Sequence, residues 1–188
     1  KKEMRLNIAL IAVICVTASV NAGKADDLGE KLAALGIKPD QVFAEAKGIS
    51  EWIVDIRRRL HKIPELQYEL NQTSALVRTV LDDMGIKYRF PVAGTGIVAT
   101  LGSGLEPVVV LRADMDALPI LEIPNPDTLS FVSQHPGAMH ACGHDGHTAI
   151  LLGAARLLKQ READLRGTVR LLFQPAEEGG AGGLRMLQ

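Results

Sequence analysis

The stretch that most limits the fold of this chain runs from Val108 to Phe173. Val108-Val109-Val110-Leu111 is a continuous apolar run rather than an alternating one, the pattern of a central strand covered on both faces. From about Asp145 to Leu165, residues Ile150, Leu151, Ala154, Ala155, Leu157 and Leu158 recur at helical spacing, and Val169 to Phe173 reads as a second buried strand. Strand, helix, strand in that order predicts a right-handed crossover joining two parallel strands of an α/β sheet. This order also fixes where the polar residues gather. Asp114 and Asp116 follow the first strand, His140 to His147 lead into the crossover helix, and Glu177-Glu178 follow the second strand. All three groups therefore fall at the carboxyl edge of the sheet, where open α/β folds place their ligands.

The remaining segments support one globular domain. Ser50 reads as an N-cap, with Trp52, Ile53, Ile56, Leu60 and Ile63 at helical spacing until Pro64 stops the pattern. A second helix is expected from about Thr73 to Met84, ended by Gly85, and strands over Ile86–Phe90 and Ile97–Leu101. Leu118 to Met139 holds no clear element and carries four prolines, which marks a long functional or mobile loop. With 47% apolar and 23% charged residues, the 188-residue chain is neither a disordered tail nor a fibrous repeat. A formal charge of -1 gives no general field for nucleic acid, and no aromatic residues interleave with Arg57-Arg58-Arg59, which reads as a solvated helix face.

The first residues differ in kind. Met4-Arg5 precedes an apolar run from Leu6 to Val20 with small residues up to Ala22, the pattern of a secretory signal peptide over residues 1–22. That run is short of the ~20 residues that span a bilayer, so no stable membrane anchor is expected after cleavage, and the endoplasmic reticulum lumen or the exterior is the expected location. Residues 23–49 form a leader with weak helical periodicity and no assigned function. Cys15 would leave with the signal, and Cys142 would then be a lone thiol, a hazard in an oxidising compartment unless buried, metal-bound or chemically employed.

His140-Ala141-Cys142-Gly143-His144-Asp145-Gly146-His147 packs three imidazoles, a thiol and a carboxylate into one short stretch. Residues two apart in an extended stretch project from the same side, so Cys142 and His144 can share one cation at ~2.0 to 2.3 Å. His140 and His147 could be further ligands, could orient a ligand, or could touch substrate. A closed structural zinc site would want four protein ligands, commonly paired cysteines, and only one cysteine is usable. Of the adjacent Glu177 and Glu178, one can ligate a metal while the other faces the water it activates, the division of labour that amide hydrolysis demands. Asp114 and Asp116 face the same way at a strand end and can orient a metal-bound histidine or support a second ion.

These segments resemble the aminoacylase and carboxypeptidase-like metallopeptidases, in the branch of auxin-conjugate amidohydrolases, hippurate hydrolases and N-acyl amino acid amidohydrolases. The resemblance runs from about Ser50 to Gln188, through Arg57 to His61 with Pro64-Glu65-Leu66, Leu111 to Pro119, Met139 to Asp145, and Phe173 to Gly180. It implies an α/β fold, with residues 50–188 as the N-terminal part of a zinc-peptidase-like, three-layer catalytic domain with a mostly parallel central sheet. It further implies that Cys142, His144 and Glu178 are metal ligands, that Glu177 is the general base, and that Asp116 supports a metal-binding side chain. Two divalent ions, Mn2+ or Zn2+, would share the Cys142 sulfur, and the substrate would be a small N-acyl amino acid. Asp114 stands where similar proteins carry a histidine. Similar proteins also carry two further histidine ligands and a lid domain downstream, so a truncated segment with weak metal binding and little activity of its own is expected. Two other readings stay open: a cysteine-nucleophile hydrolase using Cys142 with His144 or His140 as base, and a non-catalytic truncated product.

Overall fold

The computed structural model describes residues 38–126 and 128–188. The expected signal peptide, and the leader as far as residue 37, lie outside the described residues. Helix α1 spans Pro39–Gly48 and α2 spans Ser50–His61. Ser50 is the first residue of α2 rather than its cap: Ile49 takes the cap position and no side chain caps it. Helix α3 covers Asn71–Asp83 and buries Val77, Val80 and Leu81. Its start is held from a distance, because the Glu65 carboxylate accepts the backbone N–H of Gln72 (3.1 Å) and Thr73 (2.8 Å), two donors that a helix cannot satisfy internally. Gly85, at φ 63°, ends it in the left-handed conformation that glycine adopts without strain.

Strands β1 (Lys87–Val92) and β2 (Gly96–Gly102) form an antiparallel pair, followed by β3 (Val108–Asp114), helix α4 (His144–Gln160), a 3-10 turn over Glu162–Asp164, β4 (Thr168–Gln174) and the short helix α5 (Gly182–Met186). The sheet order is β1-β2-β4-β3. β2 pairs antiparallel with β4, and β3 pairs parallel with β4 across α4, as the crossover reading requires. The α/β class holds, in a small mixed sheet whose one parallel pairing is β3 with β4; the mostly parallel order expected for the described strands is corrected accordingly.

One face of this sheet forms the core. Ile97, Ala99 and Leu101 of β2 stand opposite Phe173, Leu171 and Val169 of β4, all buried, and pack with Ile56 and Leu60 of α2, Val77 and Leu81 of α3 and Leu152 and Leu158 of α4. Burying each such side chain fully contributes about 1.5–3 kcal/mol. The reading of Val108–Leu111 as a central strand covered on both faces is corrected. Among the described residues β3 is at the end of the sheet, and Val110, which alternates away from the core-packed Val109 and Leu111, is 52% exposed. Among the described residues, the chain between β3 and α4 contains no regular element; Leu118 and Met139 close it with an isolated bridge.

Candidate metal centre

The parallel register brings Asp114 opposite Gln174, so the ends of β3 and β4 lie side by side. Met115 N–H still donates to Gln174 O (2.9 Å), and just beyond this bond the two chains carry Asp116 and Glu177-Glu178. Asp116 is fully buried, and its carboxylate joins the two chains: Oδ1 accepts Glu177 N–H at 3.1 Å and Oδ2 accepts Glu178 N–H at 3.0 Å. Burial would raise the Asp116 carboxyl, but hydrogen bonds from His144 and from these backbone groups outweigh it and hold it below the usual carboxylate range. The turn after β4 is tight. A Cβ on Gly182 would lie 1.7 Å from Pro175 O, so the Glu177-Glu178 turn can return to α5 only over a bare backbone.

The third chain arrives at the start of α4. Gly143, at φ 87°, is its N-cap and His144 its first residue. Cys142 and His144 therefore converge around a left-handed turn, not along the extended stretch that the sequence suggests. His144 is buried and its Nδ1 donates to Asp116 O (2.8 Å), which leaves Nε2 as the free ring atom. The nearby Asp116 side chain raises the His144 pKa to about 8 despite burial. Asp114 and Asp116 flank this ring from opposite ends: Asp114 Oδ2 is 4.0 Å from Nε2 and Asp116 Oδ1 is 3.5 Å from Nδ1. Thr148 Oγ1 donates to Asp114 O (3.0 Å) and so ties α4 to the end of β3.

Donor atoms of Cys142, His144 and Glu178 all lie within 4.8 Å of one another. Soft thiolate, imidazole and carboxylate suit zinc or a related transition metal. The charge balance agrees, because the Glu178 carboxylate beside Cys142, with Glu177 and Asp114 further off, pushes the thiol pKa up. A cation is the natural complement of that cluster, whereas an activated nucleophile would need the opposite shift. Glu177 is exposed, with Oε2 3.8 Å from His144 Nε2, so it faces solvent beside this donor group. Asp114, His144 and His147 form a second donor group through the same His144 ring, with Asp114 Oδ2 3.7 Å from His147 Nδ1. His140 joins neither donor group: it is buried with its ring 6.3 Å from that of His61, its ring nitrogens have no hydrogen-bond partner among the described residues, and burial lowers its pKa to about 4. A cavity of ≈ 510 Å³ opens beside Glu178 between Leu66, Tyr68, Leu118 and Pro119.

Residues 110–188 match the peptidase family M20/M25/M40. Together with the residues before it, this segment is 54% identical over 146 residues to IAA-amino acid hydrolase ILR1-like 5 of Arabidopsis thaliana, covering 78% of this chain and 33% of that hydrolase. They are 47% identical over 155 residues to the N-acetyl-L-cysteine deacetylase of Bacillus subtilis, covering 82% of this chain and 36% of the deacetylase. The crystal structure of the Bacillus subtilis YXEP protein, described as a dinuclear metal binding peptidase from the M20 family, superposes with a TM-score of 0.69 at 45% identity, over 75% of this chain and 39% of that one. The chain thus spans about a third of the length of the curated relatives it matches.

Sequence reasoning missed a buried network beside this donor cluster. Arg57 Nε lies 2.8 Å from Asp145 Oδ2, and His61, 3% exposed, lies between Asp145 and Glu122. The solvated-face reading of the arginine triplet holds for Arg59, which is half exposed and paired along the helix with Asp55, and is corrected for Arg57. The partners are 84 and 61 residues from His61 in sequence, so no local spacing announces them.

Proposed function

We propose that the protein hydrolyses the amide bond of N-acyl amino acids, indole-acetyl amino acid conjugates among them, with two divalent cations, Mn2+ or Zn2+, at the Cys142–His144–Glu178 centre. The observation that carries this reading is the convergence of a thiol, an imidazole and a carboxylate, from separate segments, within 4.8 Å. Relatives named as hydrolases of IAA-amino acids and as a deacetylase of N-acetyl-L-cysteine support the substrate class, and the dinuclear M20 peptidase supports the ion count.

A divalent cation held by these ligands supplies Lewis acidity to an amide carbonyl and lowers the pKa of a water molecule toward ~7. Cys142, His144 and Glu178 hold it, and His144 presents Nε2 because its Nδ1 hydrogen is committed to Asp116 O. Glu177, exposed beside them, takes the proton of the attacking water on its carboxylate and returns it to the leaving nitrogen as the C–N bond breaks. The products are the free acid and the free amino acid. The cavity walled by Leu66, Leu118 and Pro119 receives the apolar part of the substrate. Met4-Arg5 and the apolar run after it support delivery to the endoplasmic reticulum lumen or the exterior.

The test is alkylation of Cys142 with and without Mn2+ or Zn2+, paired with hydrolysis of benzoyl and indole-acetyl amino acids by the intact protein. Metal should shield the thiol. E177Q should keep that shielding while hydrolysis falls ~10²–10⁴-fold, and C142S should lose hydrolysis. Equal alkylation rates with and without metal would overturn the reading.

A further inference from the structure

The Arg57–His61 segment takes no part in the hydrolysis above, yet two of its side chains end one residue from the ligand His144. Asp145 Oδ2 lies 2.8 Å from Arg57 Nε and 2.6 Å from His61 Nδ1, and Asp145 Oδ1 accepts Gly146 N–H at 2.8 Å. On the other side of the ring, His61 Nε2 is 3.2 Å from Glu122 Oε1, while Glu122 Oε2 accepts Ser133 N–H at 2.6 Å. Asp145 is 1% and Glu122 6% exposed, so the imidazole joins two buried carboxylates. Each ring nitrogen thus faces a carboxylate oxygen, and the Phe131 ring closes the side at 5.8 Å, edge-on.

The start of α4 needs such an anchor. Its N-cap is Gly143, and no side chain caps it. An uncapped first turn leaves its N–H groups without intrahelical partners and is the part of a helix most prone to fray. The ligand His144 sits in that turn. The long loop has a similar need, since its described residues form no regular element and it carries Leu118 and Pro119 of the cavity wall.

We propose that Arg57 and His61 are positioning residues for the metal centre: through Asp145 they fix the first turn of α4, and through Glu122 they fix the 118–139 loop. The inference rests on the metal-centre reading above. It gives the Arg57–His61 motif a task that neither touches substrate nor ligates metal. Outer partners that orient metal ligands typically change metal affinity 10–100-fold when removed.

Titration of the whole chain with Co2+ tests this without relying on turnover, because thiolate coordination gives a charge-transfer band that C142S must lose. H61Q and R57Q should bind Co2+ ~10–100-fold more weakly and shift the ligand-field bands, with the far-ultraviolet circular dichroism unchanged. V80A, a core truncation in α3 remote from the network, should lower the thermal midpoint and leave the cobalt affinity and spectrum as they were. If H61Q fails to fold, E122Q, which leaves α2 and α4 paired through Asp145, should show a smaller loss in the same direction. Folded H61Q or E122Q with unchanged affinity and spectrum, or V80A as impaired as H61Q, overturns the inference alone. Absence of the thiolate band in the unsubstituted chain overturns the metal-centre reading as well.

Discussion

Both oxygens of the Asp116 carboxylate accept hydrogen bonds from consecutive backbone N–H groups, and the same residue's carbonyl holds the ring of His144. D116N would put an amide NH2 against a backbone donor in a fully buried place. Leaving such a group unsatisfied costs about 1–3 kcal/mol, so D116N should lower the unfolding free energy by that amount in a denaturant titration and weaken metal binding in parallel. Unchanged stability would mean that the fork is not holding the Glu177-Glu178 turn. At this scale the cluster of possible metal donors was legible because Cys142, His144 and their neighbours are too dense for packing to explain. The Arg57–His61–Asp145–Glu122 set was not, since each member taken alone is an ordinary charged residue, and only the fold makes them neighbours.

Among the elements, α2 packs against α4 where α4 carries Gly153. A Cβ there would lie 2.7 Å from Ile53 Cδ1 and 3.1 Å from its Cγ1, so the two helices approach over a missing side chain. G153V should force Ile53 out of place and destabilise the protein by about 1–3 kcal/mol, read as a lower denaturation midpoint. A neutral result would show that Ile53 has free room to turn. Helix α4 and strands β2 and β4 were readable from periodicity because their apolar residues face one core. The four apolar residues Val108–Leu111 misled for a physical reason: Val110 is apolar and exposed, so composition alone implied cover on a face that the described residues leave open. The one parallel pairing was legible from the helical pattern between its strands, whereas the antiparallel β2–β4 pairing joins segments distant in sequence and left no local signal.

For the molecule as a whole, the His61 network makes stability depend on pH. His61 faces Asp145, Glu122 and Arg57, with the His140 ring 6.3 Å away. The hydrogen bond to Asp145 raises the His61 pKa above its ordinary 6.5, so its stabilisation is complete below that value and is lost as pH rises through the raised one. Burial would raise Asp145, but the His61 hydrogen bond and nearby charges lower it below 3.8, so its stabilisation is present above that value and lost as pH falls further. Their joint contribution is therefore greatest between about pH 4 and 6.5. His140 acts in the opposite sense on acidification, so the useful quantity is the difference between the unsubstituted chain and H61Q in metal-free buffer. That gap in unfolding free energy should narrow from pH 6 to pH 9; a constant gap would mean that His61 is neutral throughout. The left-handed turn at Gly143, the bond from His144 to Asp116 and the grip of Asp116 on two successive amides leave little for an arriving ion to arrange. With the His144 ring already held, such an ion would have to still only the Cys142 and Glu178 side chains, at about 0.5–1.5 kcal/mol each.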